Sequence, residues 1–294
     1  VGSALVPFDR RRLQTTRHES EHGRWELARY IPCPALAPFV TEIQGYRESP
    51  GPPVRRREMP NGNVVLIINF GCDWLIGSEQ TASRLARFTS FVGGVDDVYA
   101  ISESTGAAHC MQVNFTPIGA RLFFRASGRE LAHRVVGFSD VLGTEGNRLA
   151  ERLYEAPSWD ARCAMLEAEI AGRVLPSAPP RDLPVVVWDA IMAHTGNVSI
   201  GDLATNYGVS RKHLSTTFRE AVGVAPKTYA RLCRFRQAAN LLAARETPAW
   251  SDIALDCGYY DQAHFNRDFR RFSGYTPGEY RAHSLPDGTG ILDA

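Results

Sequence analysis

Between Leu203 and Tyr280 the apolar positions fall at helical spacing, and then do so a second time. Leu203 and Ala204 lead to Gly208, Leu214, Phe218, Gly223, Pro226 and Tyr229. Ile253 and Ala254 lead to Gly258, Phe265, Phe269, Gly274, Pro277 and Tyr280. The offset is 50 up to the first glycine and 51 afterwards, so the second copy carries one extra residue in its turn. Apolar residues three and four apart make one face of a helix. Each copy therefore predicts a short helix, a glycine-containing turn, a second amphipathic helix, then Gly-x-x-Pro and a further helix. That is the outline of a helix-turn-helix unit, and two in tandem form a device for reading DNA.

The caps agree with this reading. Ser199, with Asp202 three residues on, suits a helix start, Ser210 suits the next, and Asp261 suits its counterpart in the second copy. Leu214 and Phe218 anchor the inner face of one helix; Phe265, Phe269 and Phe272 anchor that of the other. Opposite them lie Arg211, Lys212, Ser215, Thr216 and Arg219 in the first copy, and Gln262, Asn266, Arg267, Arg270 and Arg271 in the second. An amide can bridge N6 and N7 of adenine, and an arginine can bridge O6 and N7 of guanine. The arginine pair further along the second helix (Arg270 and Arg271) suits phosphates instead, as do Arg211 and Arg219 in the first copy. The second helix is expected to carry more base readout than the first, because Ser215 and Thr216 are short. Between the copies, Pro226 to Ala244 predicts a helix of roughly 28 Å, long enough to set two reading helices about one turn of DNA apart.

The first half of the chain has a different pattern. From Trp25 to Phe115 it favours strands: Val64-Val65-Leu66-Ile67-Ile68 is wholly apolar, and His109 to Phe115 alternates loosely. Asn61-Gly62, Gly71 and Gly93-Gly94 mark turns. Helical character begins after Pro117 and returns from Glu145 to Val174, where Leu149 and Leu153, then Cys163, Leu166 and Ile170, form apolar pairs and triplets. Four prolines between Pro176 and Pro184 make a stiff connector. The predicted organisation is a flexible tail at 1–22, a β-rich part at 23–175, a linker at 176–184, a helical domain at 185–283 and a frayed end at 284–294. The fold class is α+β.

Composition changes little in this picture. The chain has 294 residues, 44% hydrophobic and 22% charged, enough for two domains with separate cores. Net charge is +1, with +3 between Pro184 and His283 and −2 elsewhere. No apolar run is long enough to cross a membrane, and the arginine-rich start (Arg10, Arg11, Arg12) lacks a signal peptide's apolar segment, so a cytoplasmic location is expected. The first residue is Val. The six cysteines have no Cys-x-x-Cys spacing and read as buried thiols rather than zinc ligands. No cofactor or metal is expected. His213 and His264 read as packing or capping residues.

At these residues the chain resembles the AraC/XylS family of bacterial transcription regulators. Leu203-Ala204, Gly208-Val209-Ser210-Arg211-Lys212-His213-Leu214, Phe218, Gly223, Pro226 and Tyr229 look like the family's first unit. Ile253-Ala254, Cys257-Gly258-Tyr259, Phe265, Phe269-Arg270-Arg271, Gly274-Tyr275-Thr276-Pro277 and Tyr280-Arg281 look like its second. The resemblance implies a seven-helix DNA-binding domain whose third and sixth helices enter adjacent major grooves. It puts base-facing roles on Lys212, Ser215 and Thr216, then on Gln262, Ala263, Asn266 and Arg267, with Ala263 offering only a methyl group. Gln112 to Ala120 and Trp159-Asp160-Ala161-Arg162 are similar to a sensor domain of some of these regulators, which implies a cupin-like effector domain. The implied partners are double-stranded promoter DNA, RNA polymerase, a small-molecule effector of unknown identity and a second copy of the chain in a homodimer; no membrane is implied.

Alternatives remain at this stage. Trp74, His109, Gln112 and Asn114 suit either a pocket or a packed core. A metal-dependent cupin enzyme would need convergent ligands, and only His109 sits on a clear strand. A repair protein would need a reactive thiol, for which Cys33 in Ile31-Pro32-Cys33-Pro34 is the candidate. The segment from Glu145 to Val174 could pair with its own copy or cover its own sheet.

Overall fold

Val64–Asn69 is apolar at nearly every position because both of its faces are covered. Val65 and Ile67 point into a cavity between two sheets, while Leu66 and Ile68 meet a layer of helices. The structure, a computed structural model, describes residues 9–20, 23–49, 53–78, 84–104, 107–177, 182–243, 249–284 and 291–293. One sheet has seven strands in the order β1 (Leu13–Ser20), β2 (Gly23–Tyr30), β3 (Val40–Glu48), β10 (His109–Phe115), β5 (Val64–Asn69), β8 (Phe91–Gly93) and β11 (Val135–Gly137). The other has five: β12 (Ile291–Leu292), β4 (Val54–Glu58), β9 (Ala100–Ser104), β6 (Trp74–Ser78) and β7 (Ala86–Phe88). Every strand pairing is antiparallel. The β-rich part is followed by an all-helical part, as the α+β reading expects.

Helices α1 (Pro117–Phe124), α3 (Phe138–Glu155) and α4 (Trp159–Val174) cover the outer face of the larger sheet, with the short α2 (Gly128–Leu131) beside them. The segment of helical character from Glu145 to Val174 comprises the end of α3 and all of α4, divided where Pro157 follows α3 and Ser158 caps α4. Leu149, Leu153, Cys163, Leu166 and Ile170 are buried against the chain's own sheet. Their apolar face is therefore covered within the chain.

Both predicted tails need correction. Residues 13–20 form β1, paired along its length with β2. The strand is polar on both faces because it is a sheet edge, so it lacks the alternation that marks a half-buried strand. Arg12 then reaches Glu167, a buried carboxylate that also accepts from the Tyr30 hydroxyl at 2.7 Å and the Cys33 N–H at 2.6 Å. At the other end Ile291–Leu292 adds a strand beside β4. Residues 1–8, 21–22, 178–181 in the linker, and 285–290 and 294 of the predicted frayed end lie outside the described residues.

The helical part runs α5 (Leu183–Ala193), α6 (Ile200–Asn206), α7 (Arg211–Val222), α8 (Pro226–Leu242), α9 (Trp250–Asp256), α10 (Gln262–Ser273) and α11 (Pro277–His283). Seven helices were expected, and seven stand among the described residues. Separate cores were also expected, but the two parts share one: α7 packs on α1 and α2, and the buried apolar cluster runs unbroken from Tyr30 to Phe272. A proline-rich connector limits local conformation and says nothing about the surfaces it brings together.

Candidate nucleic-acid interface

The two repeated units are built by the same hydrogen bonds. In the first, Gly208 takes φ +64°, its N–H donates to Thr205 O, and Val209 N–H returns to Ala204 O at 3.0 Å. In the second, Gly258 takes φ +72°, its N–H donates to Leu255 O, and Tyr259 N–H returns to Ala254 O at 2.9 Å. Left-handed backbone at both turns favours glycine. The hydroxyl of Ser210 caps α7 through His213 N–H, and the carboxylate of Asp261 caps α10 through His264 N–H. The extra residue in the second turn is Tyr260, between Tyr259 and the cap, and it is 93% exposed.

The inner faces are as the spacing requires. Leu214 and Phe218 are fully buried under α7, and Phe265, Phe269 and Phe272 under α10. Outward, Arg211, Lys212, Thr216, Arg219, Gln262, Ala263, Arg267, Arg270 and Arg271 are exposed, while Ser215 and Asn266 are half-buried. His213 is exposed; His264 is half-buried, edge-on to Tyr259 and 3.8 Å from Asp268.

Helix α8, 17 residues and roughly 25 Å long, links the units and holds the second by charge. Arg231 donates to both oxygens of Asp268 on α10, at 2.9 and 2.6 Å, and Asp268 is only 5% exposed. Hydrogen bonding to Asp268 raises the Arg231 pKa further above its ordinary value. Arg234 donates to Gly258 O and lies over the Tyr259 ring, so α8 also grips the turn. Sequence reasoning passed over Arg231 and Asp268; the signal was an acidic residue on the apolar face of α10, where an unpaired carboxylate would be costly.

Each unit also meets the β-rich part. Gly128 of α2 lies against the backbone at Ala221 and Val222, where a Cβ would have no room. Arg271 of α10 bonds Asp97 at 2.8 Å. Arg57 of β4 lies between the rings of Tyr99 and Tyr275 and donates to Ser273 O. Asp293 accepts from Arg57 at 2.7 Å and from Arg55 at 2.8 Å, which ties the end of the chain to the same place.

A family profile described as a helix-turn-helix domain matches residues 203–283, the span of both units. The C-terminal third is an AraC-type helix-turn-helix domain. A second profile, a domain of unknown function (DUF6597), matches residues 28–137. The chain is 36% identical over 95 residues to the F1 operon positive regulatory protein of Yersinia pestis, covering 32% of this chain and 31% of that protein. It is 31% identical over 87 residues to the lactose operon transcription activator of Staphylococcus xylosus, covering 30% and 31%. The matches thus span about a third of these relatives' length. ToxT from Vibrio cholerae aligns over 84% of this chain and 97% of its own at 12% identity, with a TM-score of 0.45.

Outside the AraC-type domain, a cavity of about 410 Å³ lies between the sheets. Val65, Ile67, Trp74, Ile76, Phe88 and Phe91 make its apolar wall, and Gln112 is among its polar groups. Of the four residues weighed for a pocket, Trp74 and Gln112 line it. Asn114 instead accepts from Gln112 at 2.9 Å, and His109 faces the helices on the opposite side of the sheet. Cys33 is buried, and burial pushes Cys110 and Cys163 up to about 12, the reverse of an activated thiol. No helix among the described residues is long and apolar enough to cross a membrane.

Proposed function

We propose that this protein is a sequence-specific DNA-binding transcription regulator whose promoter binding responds to a small molecule held between its two sheets. Lys212, Ser215, Thr216, Gln262, Asn266 and Arg267 face base edges in two successive major-groove segments. Arg211, Arg219, Arg270 and Arg271 face phosphates. The exposed polar stripes on two equally capped and equally turned helices support this reading, and α8 supplies the fixed separation.

One observation carries the coupling to a ligand: the cavity wall is also the docking surface of the AraC-type domain. Asn61, Gly62 and Tyr99 line the cavity. Arg236 donates to Asn61 O at 3.2 Å, the Tyr229 hydroxyl donates to Gly62 O at 3.1 Å, and Tyr99 packs on Arg57 and Gly274. A molecule that moves this wall changes the docking and has a different affinity for the docked and released arrangements. That difference is the physical requirement for control. The lining suits a compact, mainly apolar molecule with few polar groups.

Selection of duplexes from a random pool tests DNA reading. Two half-sites with centres about 10 base pairs apart are expected; a pool that stays random overturns the proposal. Ligand control is tested by screening small apolar molecules for a thermal shift, then measuring DNA affinity with each hit. Hits that stabilise the protein but leave affinity unchanged separate the cavity from regulation.

A further inference from the structure

The segment Trp159-Asp160-Ala161-Arg162 takes no part in reading DNA, yet it completes a charged hollow of about 670 Å³ on the helix-covered face of the larger sheet. Strand register builds the floor. Arg17 stands opposite Glu26, Glu26 opposite Arg47 and Arg47 opposite His109, a row across β1, β2, β3 and β10. Trp159 lies flat on Gly45, where a Cβ would run into its ring. Arg162 closes the row from α4 with its Nη1 on His109 Nε2 at 2.9 Å.

The acids in this hollow are already engaged. Glu26 accepts from Arg17 at 3.0 Å and from the Trp159 indole at 3.2 Å, and Asp160 is bonded to Arg10 at 3.1 Å. Arg47 makes no ion pair with a described residue. Among the described residues Arg162 donates only to neutral acceptors: Leu153 O, Tyr154 O and the imidazole. Burial first, then Arg162 and Arg47, hold His109 down at about 4, so its ring is neutral and able to accept. Burial and Arg47 lower Arg162 as well, the opposite of what a carboxylate partner does. Two guanidinium groups therefore face one hollow with no carboxylate of a described residue bonded to either, Glu26 and Asp160 being taken by Arg17 and Arg10.

We propose that this hollow binds a compact dianion of the phosphate type between Arg47 and Arg162, with the hydroxyls of Thr15 and Ser158 on its rim. Guanidinium forks match phosphate oxygens, and two of them match a double charge. The site is distinct from the cavity between the sheets and lies on the other side of β10.

Titration calorimetry with inorganic phosphate, glycerol 3-phosphate and succinate, paired with NMR titration of the His109 ring, tests this. Saturable binding of inorganic phosphate is expected, weakened at least about tenfold in Arg47→Gln, a change at an exposed position. Glycerol 3-phosphate binding more tightly would point to a phosphorylated metabolite; equal affinity would point to the free ion, and either supports the site. A bound anion should also raise the His109 pKa by roughly a unit. Succinate binding as well as phosphate, an unmoved His109 titration, or unchanged phosphate affinity in Arg47→Gln would each overturn the proposal.

Discussion

The two helix-turn-helix units share their turns, caps and buried aromatic residues, but they meet the rest of the protein by different physics. The first is joined by close packing: α7 ends against Gly128, backbone on backbone, with no room for a side chain. The second is joined by charge and aromatic contact: Arg271 to Asp97, Arg57 between Tyr99 and Tyr275, and Asp293 on Arg57. Close-packed interfaces separate only at the cost of a cavity. Arg57 and Asp293 are largely buried, but the Arg271–Asp97 pair is partly exposed, and such a pair is individually weak and exchanges readily for water or another anion. The first unit is thus fixed by packing alone, while the second has one exchangeable contact, at Arg271, a residue that also suits a DNA phosphate.

The sharpest way to break this comparison is at Arg231. Replacing it with alanine leaves the Asp268 carboxylate buried without its cation, and about 3–5 kcal/mol of stability should be lost. Urea unfolding measures the loss. Footprinting at a temperature where the variant remains folded should show the second half-site fading before the first. Equal fading would mean that α8 does not support the second unit separately.

Gly128→Val tests the fixed interface. A side chain there collides with backbone at Ala221, and roughly 1–3 kcal/mol should be lost, visible as a lower midpoint in denaturant. A neutral result would show that the first unit is as free to move as the second. On the DNA side, Arg267→Ala should cost about 1–3 kcal/mol of discrimination at one base pair of the second half-site. Ser215→Ala should change discrimination less, because a single short hydroxyl offers one hydrogen bond. Binding to single-base variants of the selected duplex measures both, and the reverse order would invert the division of readout between the helices.

The smallest effect is expected at the clasp. Asp97→Asn removes the carboxylate that holds Arg271 and should raise affinity for all sequences alike by about 1 kcal/mol or less. It should also steepen the salt dependence by about 0.9 in log–log slope, the share of one phosphate. In an Arg271→Ala background the same change should do nothing. A gain that persists there would place the effect of Asp97 elsewhere.

Local rules made the helical part readable from its sequence. Glycine at positive φ, Ser and Asp at helix starts, and Leu214, Phe218, Phe265 and Phe269 at four-residue spacing each act within a few residues. The pattern along the chain records them directly. Strands Val64–Asn69 and His109–Phe115 were legible for the same reason. Residues 13–20 were not, because an edge strand solvated on both faces carries no hydrophobic alternation. The docking of α10 was also hidden: Asp97 and Arg271 are 174 residues apart, and each reads alone as an ordinary surface charge. Asp268 was the one long-range partner with a local trace, being an acid among phenylalanines. In the candidate interface, the exposed stripe was legible and what restrains it was not.

The pairing of Asp293 with Arg57 spans 236 residues. A ribosome making this protein releases β4 and the whole AraC-type domain before residue 293 emerges. The Asp293 contacts with Arg55 and Arg57 are therefore the last of the second unit's fastenings that can form, after Arg271 and Asp97 are both available. The joint between sheet and second unit therefore reaches its full set of contacts only once residue 293 has been made.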